Sequence, residues 1–388
     1  MTNADPAPIR VLHVINQLTG GRGHFLAAGA PYWIAHGIQP VILTSGVVIP
    51  KLRAFLEGAG IPILQPAEPV TTPDALSRLI GSTLRSTPCD VVHLHDRKSL
   101  NLHIRLTRRW HRGPLVATIH GCTLHRTRFL RIASWIAHQW SQKRFGVTFV
   151  TVSSDVQENE RQNHGLVCPC ITNWIQPERF TPPDPALRAQ RRREWNIPDG
   201  VPVLVTVANC ATIKRHQLLL YSLGRLKEKM PDFLFLHAGQ EVDDREQRLA
   251  KSLGLEDRVR FLGRVADTPG LLQACDLFIM TSRLEGLSMA SIEALSAGLP
   301  AVLTKSPGLN GLAAFFSGLF YADPTPEALA DAIQAAVRSL PAFREQQARI
   351  NHETACRLFS PDVGAAAYAA LYRDLIARSS SRKQERPT

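Results

Sequence analysis

The sequence of 388 residues lacks the long apolar segments that mark membrane-spanning and secreted proteins. No apolar run approaches the roughly 18 residues that cross a bilayer, so we expect no membrane-spanning helix. Residues 1–10 are polar, without an apolar core behind a basic head, and we expect no secretion signal. The composition, 44% hydrophobic and 20% charged, is that of a globular protein with enough apolar residues for two sizeable cores.

Cysteine is scarce and follows no ligand pattern. The seven cysteines are an odd number, are scattered and lie mostly inside apolar runs. Cys168 and Cys170 have the wrong spacing for a zinc ribbon, and no matching second pair is present. His93 and His95 offer imidazole ligands, yet no third ligand follows at a useful spacing. We therefore predict reduced, buried thiols and no metal site.

Short apolar runs alternate with helix-like spacers along both halves of the chain. The runs are 9–18, 41–44, 61–64, 91–94, 115–119 and 148–152 in the first half, and 203–208, 233–238, 259–262, 276–280, 301–304 and 319–322 in the second. Such runs are typical of buried parallel strands. The alternation predicts an α/β fold of two doubly wound, Rossmann-like parallel sheets, with ligands at the carboxyl ends of the strands.

Composition also predicts where the domains begin and end. Residues 1–176 form the first predicted domain, and residues 201–365 form the second. Residues 177–200 are rich in proline and charge, which predicts a linker that contains one basic helix. A last helix is predicted at 366–378, and the Ser-rich, charged tail 379–388 is predicted to be disordered.

Two carboxylates stand eight positions apart in the segment 281–300, where a loop opens into a helix. Eight helical residues span about 12 Å, so Glu285 and Glu293 are too far apart to flank one bond as glycoside-hydrolysing carboxylates do. We interpret them as contacts to opposite ends of one elongated ligand. Ser288 is the predicted N-cap between them, where free N–H groups favour a phosphate. The alternative interpretation is that both are ordinary solvated glutamates.

The surrounding residues favour the ligand interpretation. Ser-Arg-Leu-Glu-Gly-Leu at 282–287, followed by Ile-Glu-Ala-Leu-Ser-Ala-Gly-Leu-Pro at 292–300, resembles the Glu-x7-Glu signature of the GT-B retaining glycosyltransferases of family 4. This resemblance implies two Rossmann-like domains that face each other across a cleft, with the acceptor on the first and the donor on the second. It also implies that the last helix crosses back to the first domain.

The resemblance assigns roles to the residues of this block. It implies that Glu285 contacts hydroxyls of the transferred sugar and that Glu293 contacts the ribose of the nucleotide. Backbone N–H groups around Leu287, Ser288 and Met289 would face phosphate or sugar. The implied reaction moves a sugar from a nucleotide-diphosphate donor to an acceptor hydroxyl with retention of configuration.

A second block, at 207–216, resembles the family's other donor motif, which usually reads Gly-Arg, four residues, Lys-Gly. Lys214 matches the lysine, Asn209 stands where arginine is usual, and Arg215 replaces the glycine. Lys214 and Asn209 are therefore expected to face the diphosphate, where positive charge stabilises the leaving group. No Asp-x-Asp motif accompanies the site, so we expect charge neutralisation without a metal. The nucleotide sugar is a substrate, and no cofactor is expected.

The acceptor side resembles the family at two places. Gly20 and Gly21 match a Gly-Gly loop that follows the first strand, although three glycines here do not fit a dinucleotide fingerprint. Thr-Ile-His-Gly at 118–121 matches a block whose histidine usually lies beside the reacting sugar, so His120 is a catalytic candidate together with Glu285 and Lys214. The resemblance implies that the leaving phosphate itself takes the acceptor proton. His93 and His95 are interpreted as structural.

Several partners and functions stay open at this point. The donor is a UDP-, GDP- or ADP-sugar, and the acceptor is a saccharide or a lipid-linked molecule of bacterial lipopolysaccharide, glycolipid or exopolysaccharide synthesis. One alternative is a sugar-nucleotide epimerase on the same fold. Another is a catalytically silent partner that binds a sugar nucleotide or a membrane, which Asn209 favours and which Glu285, Lys214 and Glu293 oppose.

Acidic residues are absent between Asp96 and Asp155, and this segment carries eleven positive charges, nearly the whole net charge of +12. Apolar side chains are interleaved with the basic residues of the segment 97–144. Such stretches suit an anionic membrane, where each surface Lys or Arg contributes about 1 kcal/mol. A solubilising face is the alternative, and without the stacking motifs of RNA modules we expect no nucleic acid. The expected location is cytoplasmic, peripheral on the inner face of the membrane.

Overall fold

The computed structural model describes residues 7–70, 72–96, 100–123, 127–240 and 243–384. These residues form two compact units. The first unit runs up to Trp174 and takes in the chain again from Pro361 onwards. The second unit is the continuous segment from Ile175 to Ser360. Among the described residues, no helix is both long and apolar enough to cross a membrane.

The first unit is built on a six-stranded parallel sheet with the order β3-β2-β1-β4-β5-β6. The strands are β1 (Ile9–Ile15), β2 (Ile38–Thr44), β3 (Ile63–Leu64), β4 (Val91–Leu94), β5 (Leu115–Ile119) and β6 (Val147–Thr151). Both β4 and β5 are buried along their whole length, because helices cover both faces of a parallel sheet. The strand order reverses between β1 and β4, and doubly wound sheets bind ligands outside such a point.

Seven helices complete the first unit: α1 (Gly20–Ala35), α2 (Pro50–Gly58), α3 (Pro73–Ser86), α4 (Leu100–Arg108), α5 (Arg128–Phe145), α6 (Ser154–His164) and, from the end of the chain, α14 (Pro361–Gln384). Helix α14 belongs to the core of this unit. Tyr372 is 1% exposed and its hydroxyl lies 2.6 Å from Nδ1 of His93, while the Tyr368 hydroxyl lies 2.9 Å from Thr118 Oγ1. Trp174 packs between α1 and α14, and its Nε1 donates a hydrogen bond to Phe25 O at 3.0 Å.

The second unit repeats the same topology. Its parallel sheet has the order β12-β11-β10-β7-β8-β9. The strands are β7 (Val203–Val207), β8 (Leu234–Ala238), β9 (Val259–Phe261), β10 (Leu277–Met280), β11 (Ala301–Thr304) and β12 (Leu319–Ala322). Read from its own first strand, this is the order of the first sheet. The order reverses between β7 and β10, which are paired through Leu204 with Leu277 and Val205 with Phe278.

The helices of the second unit are α7 (Pro185–Glu194), α8 (His216–Lys229), α9 (Arg245–Ser252), α10 (Thr268–Ala274), α11 (Met289–Ser296), α12 (Pro326–Gln346) and α13 (Ala348–Leu358). Short 3₁₀ turns lie at Pro177–Arg179, Thr212–Lys214 and Asn310–Ala314. The core is mostly leucine, isoleucine and phenylalanine from the sheet and from helices α8 and α12. Large aliphatic side chains on both faces of short strands predict this arrangement.

The structure corrects the predicted domain boundaries in three ways. The first unit ends at Trp174 rather than at residue 176, because Trp174 packs against Phe25 in its core. Residues 177–200 are part of the second unit and not a free linker. Helix α14 begins at Pro361 and is helical through Gln384, so residues 379–384 are not a disordered tail. Residues 385–388 of that predicted tail lie outside the described residues.

Asp276 explains why residues 177–200 belong to the second unit. This carboxylate is 5% exposed and accepts hydrogen bonds from Arg188 and Arg192 of helix α7 and from Arg344 of helix α12. It also accepts a hydrogen bond from the backbone N–H of Val203 at 2.7 Å. One buried charge therefore joins α7, α12 and the start of β7.

We expect Asp276→Ala to lower the free energy of unfolding by about 3 kcal/mol, because it leaves buried or half-buried arginines without their counter-charge. The measurement is urea unfolding followed by circular dichroism. The matched control is Asp323→Ala, which removes an exposed partner of Lys305 at 3.0 Å and should cost less than about 1 kcal/mol. Equal losses in the two variants would contradict the structural role of Asp276.

Candidate active site

The candidate site in the second unit lies where the strand order of its sheet reverses. The loop after β7 carries residues 208–215, and the loop after β10 carries residues 281–288. Parallel strands place both loops at the same edge of the sheet. Two hydrogen bonds to backbone oxygens join the loops. Arg283 N donates to Ile213 O at 2.8 Å, and Thr281 Oγ1 donates to Lys214 O at 2.7 Å.

Lys214 and Glu285 form an ion pair in this place. Lys214 Nζ lies 2.6 Å from Glu285 Oε1, and Ser282 Oγ donates to the same oxygen at 2.6 Å. The side chains are 25% and 14% exposed, so both remain accessible to a ligand from solvent. The structure thus brings together two residues that are 71 positions apart and that the sequence assigned to one site.

Gly308 packs directly against the backbone of Glu285. It has a φ of +82°, and a Cβ atom at this position would lie 2.4 Å from the backbone oxygen of Glu285. The loop is also held by a hydrogen bond from Glu285 N to Pro307 O at 2.9 Å. A glycine is therefore required so that the 305–308 loop can support the Glu285 backbone.

Helix α11 begins next to this ion pair. Ser288 is the N-cap residue, as predicted by position, but its side chain makes no capping hydrogen bond and lies 2.7 Å from Ser291 Oγ instead. Leu287 is buried and Met289 is half-buried, so the backbone at this end is the part that a ligand can reach. An uncapped helix N-terminus attracts negative charge.

Glu293 lies one turn further along α11 and is half-buried. Burial raises the pKa of its carboxyl from 4.5 to about 7, although the positive charge of Arg179 opposes the shift. The carboxyl is therefore partly protonated near neutral pH, and a ligand hydroxyl that donates to it would favour the ionised form.

Asn209 and Arg215 of the predicted diphosphate motif differ in charge and in surroundings. Asn209 is exposed, and its Oδ1 accepts a hydrogen bond from Gln240 N at 2.9 Å. Its amide side chain carries no charge. Arg215 adopts a left-handed conformation with a φ of +54° directly before α8. Burial and the nearby charge of Arg283 lower the pKa of Arg215. No motif in the sequence identifies Arg283. Its positive charge beside that of Arg215 makes this edge of the sheet favourable for an anion.

In the first unit, the Gly20–Gly21 pair begins α1 at the corresponding point of reversal. Both glycines are exposed, and a Cβ atom on either would meet nothing within 4 Å. Gly20 has a φ of +58°, which favours glycine, whereas Gly21 has no such requirement. The next residue, Arg22, forms an ion pair with buried Asp96 at 2.9 Å. The loop is therefore open toward solvent and anchored by Arg22.

His120 lies at the end of β5 and is the last member of a hydrogen-bonded row. His13 Nδ1 lies 2.9 Å from His95 Nε2, and His95 Nδ1 lies 3.2 Å from His120 Nε2. Burial, followed by the charge of Arg22, lowers the pKa of His120 to about 3, so the imidazole is neutral at physiological pH. No described residue hydrogen-bonds its buried Nδ1. His13 had no motif to identify it in the sequence.

His13 lies beside His93 and His95, and one potential ligand atom of each of the three lies within 4.8 Å of the others. His13 is therefore a third potential metal ligand, which the spacing in the sequence did not indicate. The donor set does not favour a metal here. Both ring nitrogens of His93 are bonded, to the Tyr372 hydroxyl and to Thr118 Oγ1, each at 2.6 Å. Both of His95 are bonded as well. We read this group as a hydrogen-bonded core.

Comparison with known proteins agrees with this arrangement. Residues 19–179 match the family model described as Glycosyltransferase Family 4, and residues 188–353 match that described as Glycosyl transferases group 1. Anabaena HepE, solved in complex with UDP and glucose, superposes with a TM-score of 0.76 at 20% identity, over 96% of this chain and 100% of that one. The two parallel sheets, their strand order and the solved neighbours show the α/β GT-B fold.

Two curated relatives extend the comparison. Mannosylfructose-phosphate synthase of Agrobacterium fabrum is 34% identical over 158 residues, which cover 38% of this chain and 34% of that protein. A GDP-mannose:cellobiosyl-diphosphopolyprenol alpha-mannosyltransferase of Xanthomonas oryzae is 26% identical over 304 residues, 74% of each protein. The chain belongs to the group 1 glycosyltransferases of family 4.

The raised pKa of Glu293 gives a test of its burial. The unfolded chain ionises this carboxyl above pH 4.5, whereas the folded protein resists ionisation until about pH 7. The wild type therefore loses stability as pH rises through this window. We expect Glu293→Gln to raise the melting temperature relative to the wild type at pH 8, with the difference shrinking toward pH 5.

The matched control for this test is Glu353→Gln, which changes an exposed glutamate of the same unit that pairs with Arg349. Its difference from the wild type should not grow between pH 5 and pH 8. A Glu293→Gln difference that is constant over the same range would show that the Glu293 carboxyl is not buried as described.

Proposed function

We propose that this protein transfers a sugar from a nucleotide-diphosphate donor to an acceptor hydroxyl, with retention of anomeric configuration and without a metal at the diphosphate. The observation that carries the proposal is the Lys214–Glu285 pair beside the open N-terminus of α11. It supplies a cation and a helix terminus for the diphosphate, and a carboxylate for sugar hydroxyls, at one edge of a doubly wound sheet.

The donor is held by the second unit in this proposal. Glu285 accepts hydrogen bonds from the transferred sugar, and Glu293 accepts them from the ribose. Lys214 and Asn209 contact the diphosphate, together with backbone N–H groups of residues 287–289. Arg283, placed near Arg215, adds a charge that offsets the missing arginine at position 209. As charge builds up on the leaving diphosphate, these fixed groups stabilise it without reorganisation.

The acceptor is held by the first unit, near Gly20, Gly21 and His120. Because His120 is neutral at pH 7, it acts as a hydrogen-bond partner and not as a charged acid. The leaving phosphate takes the proton of the acceptor hydroxyl. This division keeps the reacting proton close to the oxygen on which negative charge develops.

The relatives support particular substrate classes. HepE was solved with UDP and glucose, and the Xanthomonas relative is named for GDP-mannose and a diphosphopolyprenol acceptor. We infer a UDP-, GDP- or ADP-sugar donor and a saccharide or lipid-linked acceptor of envelope polysaccharide or glycolipid synthesis. A sugar-nucleotide epimerase would give no transferred product, and a silent partner would give no donor cleavage.

The basic segment supports a peripheral position on an anionic membrane at the cytoplasmic face. Helix α5 buries only Ser141 and exposes six large apolar side chains, including Phe129 at 76% and Ile136 at 55%. The spacing of Phe129, Ile132, Ile136 and Trp140 places them along one face. The exposed basic residues on α5 are Arg128, Arg131, Lys143 and Arg144, none of which forms an ion pair with a described residue.

Three of the eleven positive charges, Arg97, Lys98 and Arg126, lie outside the described residues. Arg108 is used internally, because its guanidinium donates to the backbone oxygens of Phe145 and Gly113. The proposed membrane surface is therefore helix α5, about 27 Å long, and not the whole segment 97–144. Aromatic and aliphatic side chains enter the interface, and the arginines and lysines meet anionic headgroups.

We expect Glu285→Ala and Lys214→Ala each to lower kcat by at least about 10²-fold, because both remove a group that meets charge or hydroxyls in the transition state. Glu293→Ala should chiefly raise the KM for the donor. Cleavage of UDP-, GDP- and ADP-glucose, with the matching thermal shifts, measures these effects and identifies the base.

Lys229→Ala is the matched control, because Lys229 forms an exposed ion pair with Asp331 in the same unit, at the far end of α8 from the candidate site. It should keep wild-type turnover. Lys214→Ala with unchanged turnover would remove the proposed role of this lysine. Absence of cleavage of all three diphosphate sugars by the wild type would remove the proposed reaction.

For the membrane surface, we expect the double variant Phe129→Ser, Ile136→Ser to lose at least about tenfold in binding to vesicles of phosphatidylglycerol, since two exposed apolar side chains no longer insert. Vesicle flotation measures the binding, with phosphatidylcholine vesicles and heparin as comparisons. The control is Val167→Ser, which changes an 86% exposed apolar residue of the same unit outside α5.

The proposal of a membrane surface is abandoned if the double variant floats like the wild type. Equal binding to heparin and to anionic vesicles, unaffected by the double variant, would instead assign the charge to polyanions in general.

A further inference from the structure

Cys210, His216 and His237 converge inside the second unit, behind the exposed Asn209. They come from the loop after β7, from the first residue of α8 and from β8, respectively. All three are buried, at 5%, 5% and 1% exposure, and one ligand atom of each lies within 4.8 Å of the others. None of the seven cysteines, all of which are described, is in a disulfide.

The distances fit a shared metal ion, and the same thiol and imidazole lie within hydrogen-bond distance of each other in its absence. Cys210 Sγ lies 3.7 Å from His237 Nε2. A tetrahedral zinc ion with Zn–S of about 2.3 Å and Zn–N of about 2.05 Å separates sulfur from nitrogen by about 3.6 Å. The rings of His216 and His237 are 4.7 Å apart and nearly perpendicular, at 84°. This geometry lets both imidazoles direct a nitrogen toward one point.

The hydrogen bonds orient His216 for coordination. Its Nε2 lies 3.2 Å from the backbone oxygen of Asn209, which fixes the proton on Nε2 and leaves the lone pair on Nδ1. This Nδ1 is buried, and no described residue hydrogen-bonds it. Ligating histidines usually donate their other ring nitrogen to a carbonyl in this way. In His237 the nitrogen that faces Cys210 Sγ is Nε2, so Nε2 is the atom through which this residue would ligate the same ion.

A second group of potential ligands in the chain lacks these features. In the group of His138, Glu160 and His164, Nδ1 of His164 lies 2.5 Å from Glu160 Oε2 and its Nε2 lies 2.9 Å from Ser134 Oγ. Both nitrogens of His164 are therefore already used. In the histidine row of the first unit, His93 and His95 are bonded at both ring nitrogens, and the row contains no thiol. Among the groups formed by described residues, the one in the second unit combines a thiol with a buried imidazole nitrogen, Nδ1 of His216, that no described residue hydrogen-bonds.

We propose that Cys210, His216 and His237 bind one zinc ion. A thiolate and two neutral imidazoles are the ligand types that zinc prefers, and three protein ligands leave one position open. The sequence predicted no metal, because the ligands are spread over 27 positions and form no spacing motif.

The position of the ion also bears on the donor site, a consequence that rests on the proposed function. Zinc with one thiolate carries a net charge of +1. This charge lies beside Asn209, where the family resemblance places an arginine. The positive charge of the zinc site therefore replaces the charge of the arginine that is absent at position 209. The diphosphate itself needs no bridging metal.

The test is the metal content of the full-length protein purified from zinc-supplemented cells, measured by mass spectrometry of the element. We expect about one zinc per chain in the wild type and in Cys275→Ser, which changes another buried cysteine of the same unit. We expect a loss of at least fivefold in Cys210→Ser and in His237→Gln. Zinc below about one tenth per chain in the wild type, or full zinc in Cys210→Ser, would overturn the proposal.

A second measurement needs no substitution and therefore holds even if Cys210→Ser does not fold. The wild type is alkylated with and without a chelator, and labelling of each cysteine is read from its peptide. We expect the chelator to raise labelling of Cys210 at least fivefold relative to Cys275. An unchanged ratio overturns the proposal. Neither readout depends on sugar transfer, so a failed glycosyltransferase assay leaves this test intact.

Discussion

The ion pair between Lys214 and Glu285 is the interaction that holds the candidate site of the second unit together. It joins the two loops on either side of the point where the sheet reverses its order. The Ser282 hydroxyl donates a hydrogen bond to the same carboxylate oxygen. Because Gly308 has no side chain, the 305–308 loop can pack against the Glu285 backbone. A carboxylate and a cation that are already held in place need no reorganisation when a ligand binds, which is why the proposed function places the donor here.

Much of this arrangement could be predicted from the chain because it follows from local patterns. Strands β4, β5, β11 and β12 have the predicted ends, since each is a short apolar run bounded by polar or turn residues. Parallel topology then brings the ends of β7 and β10 to one edge, so Lys214 and Glu285 meet although 71 positions separate them. Their roles toward a substrate stay predictions.

The remaining features depend on contacts that no local pattern carries. Residues 177–200 look like a linker by composition, yet Asp276 draws the arginines of α7 into the second unit. The row from His13 to His120 and the group around Cys210 both arise where side chains of separate strands and loops converge. Such convergence depends on register and on side-chain direction, which hydrophobic periodicity does not encode.

The return of helix α14 to the first unit sets an order for synthesis on the ribosome. The core of this unit includes Tyr368 and Tyr372, which are translated only after the whole second unit has been made. The second unit is one continuous stretch of chain and can close its sheet while α14 is still unsynthesised. The unit that begins first is therefore completed after the second one, and its sheet waits with an uncovered apolar face until α14 has been translated.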